Sequence, residues 1–234
     1  MNGTVDRGLA TAQPVASNSV VNSNNSSNGT DIGSTEAIAY HRLALQLHHD
    51  LPRNAEPRTV LLASANRAPG TARLAIQLAH SLAEQLQAPV LLVDAHPASA
   101  DISHLLGCAA LPGFADLLAD PALRPQDLSL PTSHRHVSVL PAGVVGAAVR
   151  TRSPESVLRV VRALAEGPDV LLLHGGPVLD DTIAMALAPC VERVLLVAFE
   201  NQTLLTDLDL AQRALSACKA RRVGLVIASG STAR

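Results

Sequence analysis

The sequence predicts an α/β fold: a doubly wound, mainly parallel sheet with helices on both faces, of the P-loop NTPase type. Two observations carry the architecture. Short unbroken runs of Val and Leu recur along the chain, as they do in strands that helices cover on both sides. Helix-length stretches rich in Ala and Leu separate these runs, and such alternation joins parallel strands through right-handed crossovers. With 234 residues and 47% hydrophobic content, the chain is long enough for one well-buried domain of ordinary size. It contains no internal repeat and no sign of a second domain.

In chain order, residues 1–34 are rich in Asn, Ser, Gly and Thr. Too little apolar surface is present there to offset ordering entropy, so a disordered tail is expected. A single P-loop-like domain is expected over 35–234. Its first helix is EAIAYHRLALQLHHDL, with Ile38, Leu43, Leu45 and Leu47 as the apolar pattern and Ser34 or Thr35 as the cap. His48 and His49 suit the negative end of that helix and are assigned no function. Strands are expected at 59–64, 90–94, 137–140, 169–173, 194–198 and 223–227. Helices are expected at 71–87, 153–165, 181–188 and 204–217, with Asp180 and Asp181 capping the third of these.

Composition excludes several classes of function. The net charge of -2 gives no general attraction to nucleic acid or anionic membrane. With no Trp, one Tyr and two Phe, the chain lacks the stacking platforms of single-strand binders. The cysteines Cys108, Cys190 and Cys218 are far apart without metal-ligand spacing, so they read as small hydrophobes or thiols in a reducing compartment. No apolar run approaches the roughly 20 residues needed to span a bilayer. The N-terminus lacks a charged region followed by an apolar core, so no signal peptide is expected. The expected location is the cytoplasm. His134 and His136 form no metal pair without a third ligand nearby, and no metal site is expected.

The chemistry-bearing stretch begins at Thr59. Val60, Leu61, Leu62 and Ala63 lead into a turn containing Pro69 and Gly70, then into an Ala/Leu helix, then into VLLVDA ending on Asp94. Strand, tight loop, helix, strand and acid is the opening of a nucleotide-binding α/β domain. A working phosphate loop needs glycines, a lysine for the β/γ oxygens and a hydroxyl for Mg²⁺. Aligned without gaps, the lysine position is Thr71 and the hydroxyl position Ala72, and only Gly70 remains of the glycines. A shifted alignment would let Arg73 stand in for the lysine, but turns the following helix by about 200°. Asn66, Arg67 and Arg73 remain able to meet an anion at the helix amino end. Asp94 sits at the carboxyl edge of the sheet, where α/β ligands bind. In DVLLLHGGPVLDD the acid expected after four apolar residues is His174, and a neutral imidazole is a poor substitute for a carboxylate near hard Mg²⁺.

Seven segments in order resemble the bacterial tyrosine-kinase family of capsule and exopolysaccharide synthesis, relatives of the MinD and ParA ATPases. AIAYHRLALQL is similar to the helix preceding the sheet, and SANRAPGTARLAIQLAHSLA to the P-loop and first helix. PVLLVDAHPASADISHLLG resembles the second acidic motif. LPGFADLLAD, VSVLPAG, RTRSPESVLRVVRAL and PDVLLLHGGPVLDDTIAMALA resemble the segments that follow, the last being the third motif. Against the family pattern, Thr71 replaces the lysine, Ala72 the Mg²⁺ hydroxyl, His96 the second acid of the Asp-x-Asp pair and His174 the third-motif acid. Ile38, His41 and Ala44 occupy the Glu-x-x-Arg-x-x-Arg assembly positions, and the tyrosine-rich tail has no counterpart before the closing GSTAR.

The resemblance implies a degenerate tyrosine-kinase-like protein, a pseudokinase in which Asp94 is a vestige of the catalytic acid. Arg67, Gly70, Thr71, Ala72, Arg73 and His174 would mark the degenerate nucleotide site. No cofactor is expected, and ATP with Mg²⁺ would bind weakly. The implied role is scaffold or regulator in exopolysaccharide synthesis and export. The implied partner is a membrane polysaccharide co-polymerase (a chain-length regulator), which would recruit the protein to the inner membrane. The rival is a weakly active ATP-binding autokinase, with Arg67 or Arg73 replacing lysine, Asp94 holding Mg²⁺ and Tyr40 the tyrosine available in cis. A positioning ATPase of the MinD/ParA kind is the third reading.

Overall fold

A computed structural model describes residues 30–50, 58–68, 70–144 and 153–228. Its strands are β1 (Arg58–Ser64), β2 (Val90–Asp94), β3 (Leu130–Pro131), β4 (Val137–Leu140), β5 (Val170–Pro177), β6 (Arg193–Phe199) and β7 (Val223–Ala228). They form one seven-stranded sheet in the order β3-β4-β2-β5-β1-β6-β7. Every neighbouring pair is parallel except β3 with β4. The antiparallel β3 was not expected: two residues are too few to show a period.

The helices are α1 (Thr30–Asp50), α2 (Thr71–Leu86), α3 (Asp101–Leu105), α4 (Phe114–Ala119), α5 (Pro125–Leu128), α6 (Pro154–Leu164), α7 (Thr182–Leu187) and α8 (Leu205–Ala217). From β1 the chain winds one way through α2 to β2. From β4 it winds back through α6, α7 and α8, and right-handed crossovers put these on the opposite face. Alternate strand residues therefore feed two cores. Val60, Leu62, Leu92 and Leu172 pack with α1 and α2. Leu61, Val93, Leu171 and Leu173 pack with α4, α6, α7 and α8.

Four expectations change. The first helix starts at Thr30, ahead of the expected cap at Ser34 or Thr35. The rest of the expected tail lies outside the described residues. Ile38 and Leu45 are about half exposed at 51% and 48%, while Ala44 and Leu47 are buried. Tyr40 and Leu43 pack beside them, so the buried stripe follows the 40, 43/44, 47 spacing of one helix face. The last strand is not covered on both faces. Val223, Leu225 and Ile227 alternate with less exposed neighbours, because β7 ends the sheet order. Helices α3, α4 and α5 were not expected either, being only four to six residues long. Cys108 is buried, and all three cysteines are free.

Candidate functional site

Parallel winding brings the carboxyl ends of β1, β2 and β5 side by side, so the loops after them share one edge. The turn from β1 into α2 is held by two side-chain hydrogen bonds. Asn66 donates through Nδ2 to Asp207 Oδ2 in the first turn of α8, 2.9 Å away. Thr71 donates through Oγ1 to the Ala68 carbonyl at 3.1 Å and is buried, so this hydroxyl is used within the loop. Gly70 precedes α2 in the left-handed region at φ 103, where glycine carries no Cβ penalty. A Cβ there would lie 3.2 Å from the Phe199 ring.

Arg67 and Arg73 are exposed. With Ala68, Gly70 and Ala72 they form one wall of a pocket of about 450 Å³, and Ser99, Asp101, His104 and Leu105 form the other. Of the residues marked in the sequence, Thr71, Asp94 and His174 do not line it. They lie buried beneath. A larger hollow of about 660 Å³ lies at the opposite, amino end of β2, between Pro89, Leu91, Pro125 and Pro168. It carries none of the residues the sequence singled out.

Under the pocket sits an acid centre. Asp94 is fully buried, and its Oδ2 accepts from the Ser103 amide at 2.9 Å and the Ser103 hydroxyl at 2.7 Å. The Ser103 oxygen in turn accepts from the Ala142 amide at 2.8 Å, tying α3 and the end of β4 to β2. Asp94 Oδ1 faces His174 Nδ1 at 3.7 Å. That is longer than a hydrogen bond, and neither atom has another partner, so the contact acts as a direct attraction across the β2–β5 register. Burial pushes the Asp94 carboxyl up, but His174 and Ser103 outweigh it and hold the acid below its ordinary range.

A second pair lies beside the first. His96 is buried, and its Nε2 stands 3.1 Å from Asp181 Oδ2. Asp181 also caps α7, as expected, accepting from the Ile183 amide through Oδ1 at 2.9 Å. Burial raises its carboxyl, while His96 and the Ile183 amide lower it further, for a net fall. The rings of His96 and His174 meet edge to face, 6.4 Å between centroids. Gly176 makes room for them: it has φ +72, and a Cβ would come 2.5 Å from the His96 ring. Sequence reasoning marked His96 as a lost acid and Asp181 as a cap, but did not join them.

Two carboxylates and two imidazoles thus face each other across the ends of β2 and β5. Among the described residues no three His, Cys, Asp or Glu side chains are arranged to hold a metal ion. His134 makes no pair with His136. Its Nε2 stands 3.1 Å from Glu84 Oε1, and its ring stacks on His80 with centroids 4.4 Å apart. Burial and the neighbouring His134 lower the His80 imidazole against the pull of Glu84.

No family model matches the sequence, and no curated protein does. Solved structures do match. The kinase domain of Escherichia coli tyrosine kinase ETK superposes with a TM-score of 0.71 at 20% identity, covering 88% of this chain and 82% of that one. The VpsO kinase domain superposes at 0.70 with 20% identity, over 86% of this chain and 98% of its own. A ParA family ATPase from Chlorobium tepidum follows at 0.61 and 20% identity, over 76% of each chain. The chain therefore has the fold shared by bacterial tyrosine-kinase domains and ParA-like ATPases, as the order of its motifs implied.

Proposed function

We propose that this protein is a catalytically degenerate relative of the bacterial tyrosine kinases, acting as a scaffold or regulator in exopolysaccharide synthesis and export. The observation that carries the reading is the pairing at the ends of β2 and β5. Two of the positions where the family places acids hold His96 and His174, and each imidazole stands against a carboxylate, Asp181 and Asp94 respectively. A cluster of acids needs a cation to be stable when buried. Here each carboxylate faces an imidazole nitrogen instead of a second acid, and imidazole is a poor ligand for Mg²⁺.

The loop supports the same conclusion. No lysine is present, and the Thr71 hydroxyl is bound to Ala68. Losing the lysine and two Mg²⁺-related groups removes charge-assisted bonds worth about 1.5–3 kcal/mol each. At 1.4 kcal/mol per tenfold, that carries an affinity of about 1 μM beyond about 1 mM. The weak-autokinase reading rests on Arg67 and Arg73, which both line the pocket. Calorimetry with Mg-ATP tests the proposal: no heat of binding is expected at submillimolar nucleotide, and a micromolar dissociation constant would overturn it.

As a scaffold the protein would bind the cytoplasmic part of a membrane polysaccharide co-polymerase and be recruited to the inner membrane by that partner. No described helix is long and apolar enough to cross a membrane. In a deletion strain, Arg67→Ala and Arg73→Ala should each restore polymer output. Failure of either variant, at normal abundance, would favour the autokinase.

A further inference from the structure

The two edges of the sheet are built differently. At one end β3 is two residues long and contains Pro131, which blunts an edge against pairing with another chain. At the other end β7 runs for six residues, VGLVIA. It has no charge, no proline and no shift of register against β6. Its side chains at Val223, Leu225 and Ile227 are 36%, 52% and 63% exposed. Helix α8 starts at the same end of the sheet as Ile227, just after β6, with Leu204 and Leu205 exposed as well.

The β6–β7 ladder decides which backbone groups of the edge are left over. Val194 donates to the Arg222 carbonyl at 2.8 Å and Glu200 to the Ala228 carbonyl at 3.0 Å. In a parallel ladder alternate residues bond to the same neighbour, so Gly224 and Val226 are turned to β6 with Arg222 and Ala228. Val223, Leu225 and Ile227 therefore aim N–H and C=O away from the sheet, as a template for a further strand. About a two-fold axis at Leu225 this strand matches itself. Leu225 faces Leu225 of the second copy, and Val223 faces its Ile227. Each of these becomes a hydrogen-bonded pair of an antiparallel ladder. Opposed residues share a face of the sheet, so the apolar row of one copy continues that of the other.

Charge selects the direction of pairing. Lys219 and Arg221 are exposed just before β7, and Glu200 is exposed at its far end, where its amide holds Ala228. Antiparallel pairing carries Arg221 of one copy just past Ala228 of the other, beside Glu200. Parallel pairing would instead set the cations of both copies together. We infer that β7 is the interface of a symmetric dimer, in which two copies of this chain join edge to edge into one continuous sheet. The contact is isologous, so it closes at two copies. It is also small, so monomer and dimer exchange at micromolar protein. The inference goes beyond the degenerate-kinase reading and does not rest on it.

The test follows the mass of the full chain by sedimentation velocity from about 1 to about 100 μM protein, the span of weak interfaces. A rise from monomer towards dimer is expected, without larger species. In amide hydrogen exchange, Leu225 and Ile227 should slow as protein concentration rises, whereas Gly224 and Val226, already bonded to β6, should not. Leu225→Lys sets two cations across the axis and should leave a monomer at the highest concentration. Its circular dichroism should be unchanged, because the side chain is exposed; Ile227→Lys serves as the second variant should the first not fold. Arg221→Glu should weaken the dimer, and adding Glu200→Arg should restore it. A chain that stays monomeric throughout overturns the inference. So does a dimer that both lysine variants leave intact, one in which the Leu225 and Ile227 amides exchange as in the monomer, or a charge swap without rescue.

Discussion

Asp94 and Asp181 are each lowered from an ordinary 3.8, because partners outweigh the burial that would raise them. A carboxyl depressed in the folded state contributes stability above its unfolded pKa and loses it as pH falls through the folded value. The part of the urea midpoint these two carboxyls supply should therefore be flat from neutral to about pH 5 and fall steeply below about pH 4. The lowered His80 imidazole adds a decline that begins below neutrality, because the unfolded chain takes up that proton first. Asp94→Asn should flatten part of that fall; an unchanged acid slope would mean the carboxyl is not held as described. The fully buried network around Asp94 also changes what Asp94→Ala measures. The Ser103 amide and hydroxyl would lose their acceptor, at about 1–3 kcal/mol, so a loss of function would report on folding as well as on chemistry. Converting His174 to the acid of the family pattern is the sharper test. His174→Asp places a second carboxyl beside Asp94 without a cation and should cost on the order of 3 kcal/mol at neutral pH. Stability should recover at low pH or in millimolar Mg²⁺. A variant as stable as the parent in chelator would contradict the view that the imidazole spares Asp94 a second buried carboxylate.

Among the elements, β7 and β6 differ although both read as apolar runs. Leu196 is buried against α8, so Leu196→Ala should cost about 2–5 kcal/mol. Ile227 is 63% exposed, so Ile227→Thr should stay within about 0.5 kcal/mol. Chemical denaturation of the two variants at submicromolar protein checks the contrast, and equal losses would show that β7 is covered within a single copy. Periodicity placed both strands to within a residue or two, since Val and Leu runs bounded by polar turns are strong local signals. It could not tell which run ends the sheet, because strand order is set by crossovers between segments far apart in sequence. The same limit hid α3, whose Ser103 supplies both donors to Asp94: five residues show no periodicity.

At the scale of the whole molecule, the two cores share strands, since Leu61 faces one and Val60 the other. Helix α1 packs on α2 through Ala44 and Leu47, which makes it a layer of the same body. The only tyrosine, Tyr40, lies in α1 beside this contact. Tyrosine emission and far-UV circular dichroism should therefore report one coincident urea transition. An earlier emission change would show α1 detaching before the sheet unfolds. By itself the sequence determined the fold class, the places of the long elements and the missing lysine and acids, because these are properties of local composition and of single positions. Only the tertiary structure decided what became of the remaining groups. It paired Asp94 with His174 across β2 and β5, and Asp181 with His96 some 85 residues apart. It also turned Thr71 inward and brought Ser99 to the pocket with the arginines. Such pairings depend on strand register and loop direction, which a one-dimensional pattern does not carry.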